Sequence, residues 1–400
     1  METSQAQDRH VTRTRRAAMI VLGLAVLLTR SATGDEPASF GDPLPGLTVS
    51  QIVQFLAGQD QFAEVETADE GLGPVFNNTS CVACHSSPAP GGDSDIVETR
   101  FGRIYHKRFD PMSYVGGSLL QSQGLDPTGP CSGETVPADA TVVAQRKTTP
   151  LFGLGLVDGV PDSVLIRIAK GQKRTTPAVA GTPNRVKDVA SGKTRVGRFG
   201  WKAQVATLRT FSGDAYLNEM GITTPLFPTD NAPQGDPSRL AACDTVAGLE
   251  DDGSGVQAFT DFMALLGPPP RGPITPEAHA GEAVFNEIGC AVCHVPTLKT
   301  GPSAVAALSQ VTFQPFSDFL LHAMGSLGDG VTQGRANGSQ MRTAPLWGVR
   351  VRTRFLHDGR ATTLEEAIVA HDGQGRYARD AFAQLSPAAM QDLLAFLNSL

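Results

Sequence analysis

The sequence predicts a mainly α chain built from two copies of one helical unit, tied together by long irregular segments. Three observations predict it. Phe76-Asn-Asn-Thr-Ser-Cys-Val-Ala-Cys-His-Ser-Ser-Pro88 and Phe285-Asn-Glu-Ile-Gly-Cys-Ala-Val-Cys-His-Val-Pro-Thr297 are near-copies far apart in the chain. The 43 Gly and 28 Pro signal many turns, and period-two apolar runs are too scarce for a continuous sheet. Finally, 400 residues exceed what one hydrophobic core usually organises, so two domains are expected.

The amino terminus reads as an export signal over residues 1–34. Arg9, Arg13, Arg15 and Arg16 form a basic start, Ala17–Leu28 is an unbroken apolar stretch, and Ala32-Thr33-Gly34 offers small residues for cleavage. Twelve apolar residues are too few to span a bilayer, so no stable membrane span is expected after cleavage, and the periplasm is the expected location. Removing this segment takes the formal charge from −7 to −10, because it carries five Arg and two acids. An acidic chain without a basic cluster is a poor nucleic-acid binder.

In an exported chain, Cys-x-x-Cys-His reads as covalent c-type haem attachment. Two thiols three positions apart can each form a thioether with one porphyrin vinyl, and the next residue places its imidazole under the iron. A redox dithiol or half a zinc site needs neither the following His nor a second copy with its flanks. Two haem c groups are expected, at Cys81, Cys84 and His85 and at Cys290, Cys293 and His294. Cys131 and Cys243 remain, and the sequence leaves open whether they pair.

Other anchors recur in the same order: Val-Phe-Asn at 75–77 and 284–286, Thr149–Gly153 against Ala344–Gly348, and Trp201–Leu208 against His357–Leu364. They predict two tandem cytochrome c-like haem domains, at 45–266 and 274–400, with an insertion near 89–144 in the first. Gly267–Pro273 is the proline-rich linker. Thr275-Pro276 starts a helix running into the second motif, and Ser386-Pro387 starts the last one. On that last helix Met390, Leu393, Leu394 and Leu397 share a face. Two terminal helices crossing over a haem is the small cytochrome c arrangement.

The copies differ where a sixth iron ligand would stand. Thr362-x-x-Glu365 reads as a capping box, and Leu364, Ile368 and His371 fall on one face of the helix it opens. His371 is therefore the expected second ligand of the second haem. The aligned helix presents Leu208, Phe211 and Ala215, and alanine cannot bind iron. The first haem is left with an open face or a borrowed ligand, for which His106 is the candidate.

These anchors resemble the bacterial di-haem cytochrome c peroxidase superfamily, from about residue 70 to the carboxyl terminus. Leu356-His357-Asp358-Gly359 followed by Thr363–Ala367 carries most of the resemblance, with Phe316–Phe319 leading to His322. Leu151–Pro161 is similar to a subgroup of di-haem oxidoreductases described as thiol oxidoreductases or peroxidases. The resemblance implies that Trp201 relays electrons between haems, that Glu219 is the acid–base group of the reaction pocket, and that His322 lies near a haem propionate. His371 falls where relatives place a methionine ligand. Phe211 stands in place of a pocket glutamine, and Arg352-Thr353-Arg354 replaces a calcium-binding Thr-x-Pro.

The expected protein is a periplasmic di-haem oxidoreductase of peroxidase type. Its carboxyl-terminal bis-His haem would pass electrons from a small redox protein or small-molecule donor to the first haem, where peroxide or another small oxidant is reduced. A haem-dependent thiol oxidase or oxygenase, and a non-catalytic electron-transfer protein, stay open as alternatives.

Overall fold

The structure, a computed structural model, describes residues 38–244 and 246–400; the export-type segment 1–34 lies outside the described residues. The helices used below are α1 (Val49–Ala63), α2 (Asp162–Thr175), α3 (Leu208–Met220), α4 (Ser254–Leu265), α5 (Pro276–Glu287), α6 (Leu364–Val369) and α7 (Pro387–Leu397).

Two crossed helix pairs organise the chain. Helix α1 opens on a capping box between Thr48 and Gln51 and buries Ile52, Phe55 and Phe62 on one stripe. Gly58 lets α4 approach closely, since a Cβ there would lie 2.5 Å from the Ala258 carbonyl oxygen. Phe62 and Phe262 then meet with ring centroids 4.9 Å apart. Helices α5 and α7 repeat the arrangement. A Cβ on Gly281 would strike the Asp392 carbonyl, and Phe285 meets Phe396 at 5.2 Å. In each pair a Gly-x-x-x-Phe stripe crosses a partner whose own Phe stands four residues beyond the contact point. Thr275 and Ser386 cap α5 and α7 with Pro at N1, as their sequences predict.

This geometry corrects one of the sequence matches. The counterpart of Phe285 is Phe62, not Phe76, because Phe62 crosses α4 and lies against the first motif. Val75–Phe76 is instead a two-residue strand paired with Gln123–Gly124.

The insertion forms a small antiparallel sheet: β1 (Val97–Tyr105) lies between β2 (Arg108–Asp110) and β3 (Val142–Lys147). A disulfide between Cys131 and Cys243 ties the insertion to the segment before α4. The expected linker is packed along its length. Pro268 and Pro269 sit against Gly153 and Gly348, and the Gly272 amide donates to the Ser399 carbonyl at 2.9 Å. The larger apolar core also takes in Leu298, Phe313, Phe319 and Trp347 from beyond that linker. Among the described residues no helix is long and apolar enough to cross a membrane.

The third anchor holds in detail. Residues 156 positions apart adopt the same turn: Gly200 and Leu356 have φ of +74° and +70°, and Ala203 and Gly359 both have positive φ. Phe199 bridges Val205 as Phe355 bridges Ala361. Thr207 then caps α3 as Thr363 caps α6.

Candidate functional site

At the second motif, Gly289 in the left-handed region turns the chain from α5 into Cys290–Cys293, and His294 follows. The His294 Nδ1 contacts the Phe316 carbonyl at 3.0 Å. His371 Nδ1 contacts the Ala367 carbonyl at 2.8 Å. A carbonyl only accepts, so both Nδ1 atoms carry the proton and both Nε2 atoms keep a lone pair. The two rings lie with centroids 6.4 Å apart and planes tilted by 60°. Two metal–imidazole bonds of about 2.0–2.1 Å, plus ~1.1 Å from each nitrogen to its ring centre, would separate trans imidazoles by about 6.3 Å. The pair therefore fits an axial iron. Burial holds His294 down to about 4, with His371 adding to it, and burial also lowers His371, so both rings are neutral at pH 7.

The route to this geometry differs from the expected one. The capping box joins Thr363 and Glu366 rather than Thr362 and Glu365, and α6 ends at Val369. His371 lies past the helix, not on its face. Its amide donates to the Ile368 carbonyl at 3.1 Å, and Gly375 leaves room beside its Cβ.

His322 is brought to the same motif. Its Nε2 bonds Asp318 Oδ2 at 3.0 Å and its Nδ1 lies 3.6 Å from the Cys293 sulfur. Burial alone would depress this imidazole, but the Asp318 carboxylate holds it up to about 10. Gln172 on α2 donates to Asp318 at 2.8 Å and to the Val292 carbonyl at 2.7 Å. Gln172 carried no sequence signal, and Asp318 stood in the Phe316–Phe319 segment without a role of its own.

At the first motif Ser80 caps one helical turn, Cys81–Cys84, and His85 follows. His85 Nδ1 contacts the Gly92 carbonyl at 3.1 Å, and burial lowers the ring to about 4. Phe62 lies 6.1 Å from His85 at 54°, as Phe285 lies 6.4 Å from His294 at 54°. The proximal sides match; the opposite sides do not. Ala215 occupies the register of His371, inside α3. Among the described residues no second imidazole faces His85. His322 and His357 are engaged elsewhere, and His279 is exposed. His106, the expected borrowed ligand, is not brought to the site: it sits exposed at the tip of the β1–β2 hairpin, against Tyr105.

Glu219, near the end of α3, does reach the first motif. Its Oε2 accepts from Asn77 at 2.9 Å, and its backbone carbonyl accepts the Asn77 amide at 2.8 Å. Burial, reinforced by Glu98, pushes its carboxyl up to about 7 against Arg100 and Asn77. Burial likewise raises Asp214 to about 6. The thiols of Cys81 and Cys290 are each pushed by burial to about 12. Thiols held protonated to that degree are poor redox nucleophiles, which disfavours the dithiol reading.

Trp201 donates from Nε1 to the Lys147 carbonyl at 2.9 Å and meets the His357 ring at 6.2 Å. The neighbouring Lys202 is fully buried and pairs with Asp329 at 2.7 Å, and Arg146 pairs with the same carboxylate at 2.6 Å. Sequence reasoning missed this triad because its members lie far apart in the chain. A cavity beside it is lined by aligned residues of both repeats: Thr149 and Ala344, Pro150 and Pro345, Arg198 and Arg354.

The family described as "Di-haem oxidoreductase, putative peroxidase" matches residues 133–400. No curated protein is significantly similar to the chain. Solved structures with a distant likeness include hydrazine synthase of Kuenenia stuttgartiensis, at 15% identity and TM-score 0.40, covering 92% of this chain and 94% of that one. A MauG-like protein associated with microbial copper homeostasis has the same identity, score and coverage. The diheme peroxidase BthA from Burkholderia thailandensis shows 15% identity and TM-score 0.38, with 91% and 87% covered. Membership of the matched family implies two haem cofactors. With its match spanning more than half of the sequence, the chain belongs to the di-haem oxidoreductases.

Proposed function

We propose that this is an exported, periplasmic di-haem c oxidoreductase that reduces a peroxide. Cys81 and Cys84 would hold one haem above His85, and Cys290 and Cys293 the other between His294 and His371. Two haem domains, 45–266 and 274–400, flank the packed Gly267–Pro273 segment in this reading. The observation that carries it is the asymmetry of the two motifs: paired imidazoles 6.4 Å apart at one, and Ala215 in the matching place at the other.

Bound haem supplies the redox chemistry, taking electrons from a donor to the peroxide. The chain's own residues set ligation, access and proton placement. The backbone carbonyls of Phe316 and Ala367 fix the tautomers of His294 and His371, so that both Nε2 atoms stay available. Ala215, in the register of His371, offers the first haem no side-chain ligand. Glu219 can accept and return a proton near neutral pH, since its Oε2 is held by Asn77 while burial brings its carboxyl to about 7. Trp201 and His357 would offer conjugated rings to electrons passing between the two haems. His322, held by Asp318 against Cys293, sits where it can meet the edge of the second haem. The donor would be a small redox protein or a small molecule.

Optical and EPR spectra of the purified holoprotein test the proposal. One low-spin and one high-spin haem, with hydrogen peroxide consumed at the expense of a reduced donor, is the expected result. Two low-spin haems unaffected by peroxide or cyanide would instead make the protein an electron carrier.

A further inference from the structure

The cavity between the repeats carries an imbalance of charge. Five cations line it, Lys147, Arg198, Arg342, Arg352 and Arg354, with Asp93 as the one carboxylate among the lining residues. Two of the cations are already matched. Lys147 takes Asp93 at 2.6 Å, and Arg198 takes Asp162. The other three have no carboxylate within ion-pair contact among the described residues, although Asp318 and Asp93 act on Arg342 and Arg352 from farther off. Arg342 is buried and donates to the Gly200 carbonyl at 2.7 Å and the Thr343 carbonyl at 3.0 Å, with its guanidinium 5.6 Å over the Phe319 ring. Arg352 is half-buried and donates to the Pro345 carbonyl at 3.5 Å, a long contact. Arg354 is the repeat partner of Arg198, yet it is exposed and has no counterpart of Asp162. A guanidinium taken out of water without an anion is costly, and a fold tolerates it where an anion arrives.

We propose that Arg342, Arg352 and Arg354 form a carboxylate-binding wall, and that the carboxylates it takes are the propionates of the haem held at His294. The proposal rests on the haem reading above. Arginine suits the task because its planar fork matches a carboxylate with two parallel hydrogen bonds. Arg342 ties the wall to the second motif, while Arg352 is nearer Asp93, whose amide and carbonyl bond Ser87 beside the first. Phe319, beneath Arg342, follows Asp318, whose amide donates to the Cys293 carbonyl at 2.9 Å. Arg342 itself lies on the strand Gln340–Arg342, paired with Leu321–Ala323.

The test uses holoprotein carrying Arg342→Gln or Arg352→Gln, with haem content, the midpoint potential of the low-spin haem and its resonance Raman propionate bands as readouts. Two haems per chain, a lower midpoint in each variant and displaced propionate bands are expected, because a nearby cation disfavours the more positive ferric state. Arg342→Lys should recover part of the shift. Unchanged midpoint and bands in a two-haem protein overturn the proposal. Should Arg342→Gln fail to fold, the exposed Arg354→Gln is read in the same way. Titrating the wild-type holoprotein with succinate separates the sources of carboxylate. A succinate-dependent midpoint that Arg352→Gln abolishes, with unmoved propionate bands, assigns the wall to a free carboxylate and overturns the propionate assignment. A chain purified without haem refutes the underlying reading, and the proposal with it, before any midpoint is measured.

Discussion

Trp201 and His357 stand at the same place in two copies of one loop, and their rings meet nearly perpendicular at 6.2 Å. The pairing puts an indole and an imidazole in contact, and the Lys147 carbonyl fixes the indole. Trp201→Phe should leave both haem spectra unchanged and slow reoxidation of the second haem by peroxide at least ~10-fold, about 1.4 kcal/mol of barrier. Stopped-flow absorbance measures it. An unaltered rate would remove Trp201 from the electron path.

His371→Gly should change the spin state or ligand set of the second haem and leave the first as it was. EPR of the oxidised protein reads both at once. A low-spin signal that survives the substitution would show that the 6.4 Å pairing with His294 is not ligation.

Glu219→Gln should lower peroxide turnover by about 10²–10⁴, the usual range for a positioned acid–base group. A carboxyl that must first accept a proton works in its ionised form. Because burial raises Glu219 to about 7, wild-type turnover should rise with pH through that value. The variant's pH profile should lack that limb, and a retained limb would assign the titration to another group.

Asp329→Ala leaves Arg146 and Lys202 buried without their shared carboxylate. Breaking a buried pair on one side typically costs about 3–5 kcal/mol. The urea midpoint should fall accordingly, and a loss below ~1 kcal/mol would mean that water enters and solvates both cations.

Gly281→Ala places a methyl against the Asp392 carbonyl at the α5–α7 crossing. Overpacking of this kind costs about 1–3 kcal/mol, and the denaturation midpoint of the holoprotein checks it.

Much of the second site could be read from the sequence. The Cys-x-x-Cys-His motifs, the Thr275-Pro276 and Ser386-Pro387 helix starts and the inward His371 all rest on local chemistry or short-range periodicity. Even there, the ring reaches its place from a turn after α6 rather than from the helix face. The α1–α4 pair stayed hidden because 19 positions separate Phe62 from Cys81, against five from Phe285 to Cys290. The Val-Phe-Asn match, closer in sequence to the motif, drew attention to Phe76 instead. His106 was misread because spacing along a chain says nothing of a hairpin that carries its tip into solvent. The roles of Asn77, Gln172 and Asp329 come from partners more than a hundred positions away, a distance at which sequence patterns are silent.

The Arg146–Asp329–Lys202 knot has a kinetic consequence. Swinging residues 45–266 away from residues 274–400 would strip a doubly clamped carboxylate of its counterions in a dry interior. Were each half to hold a haem as proposed, the hop between them should be set by fixed distance and driving force, insensitive to solvent viscosity.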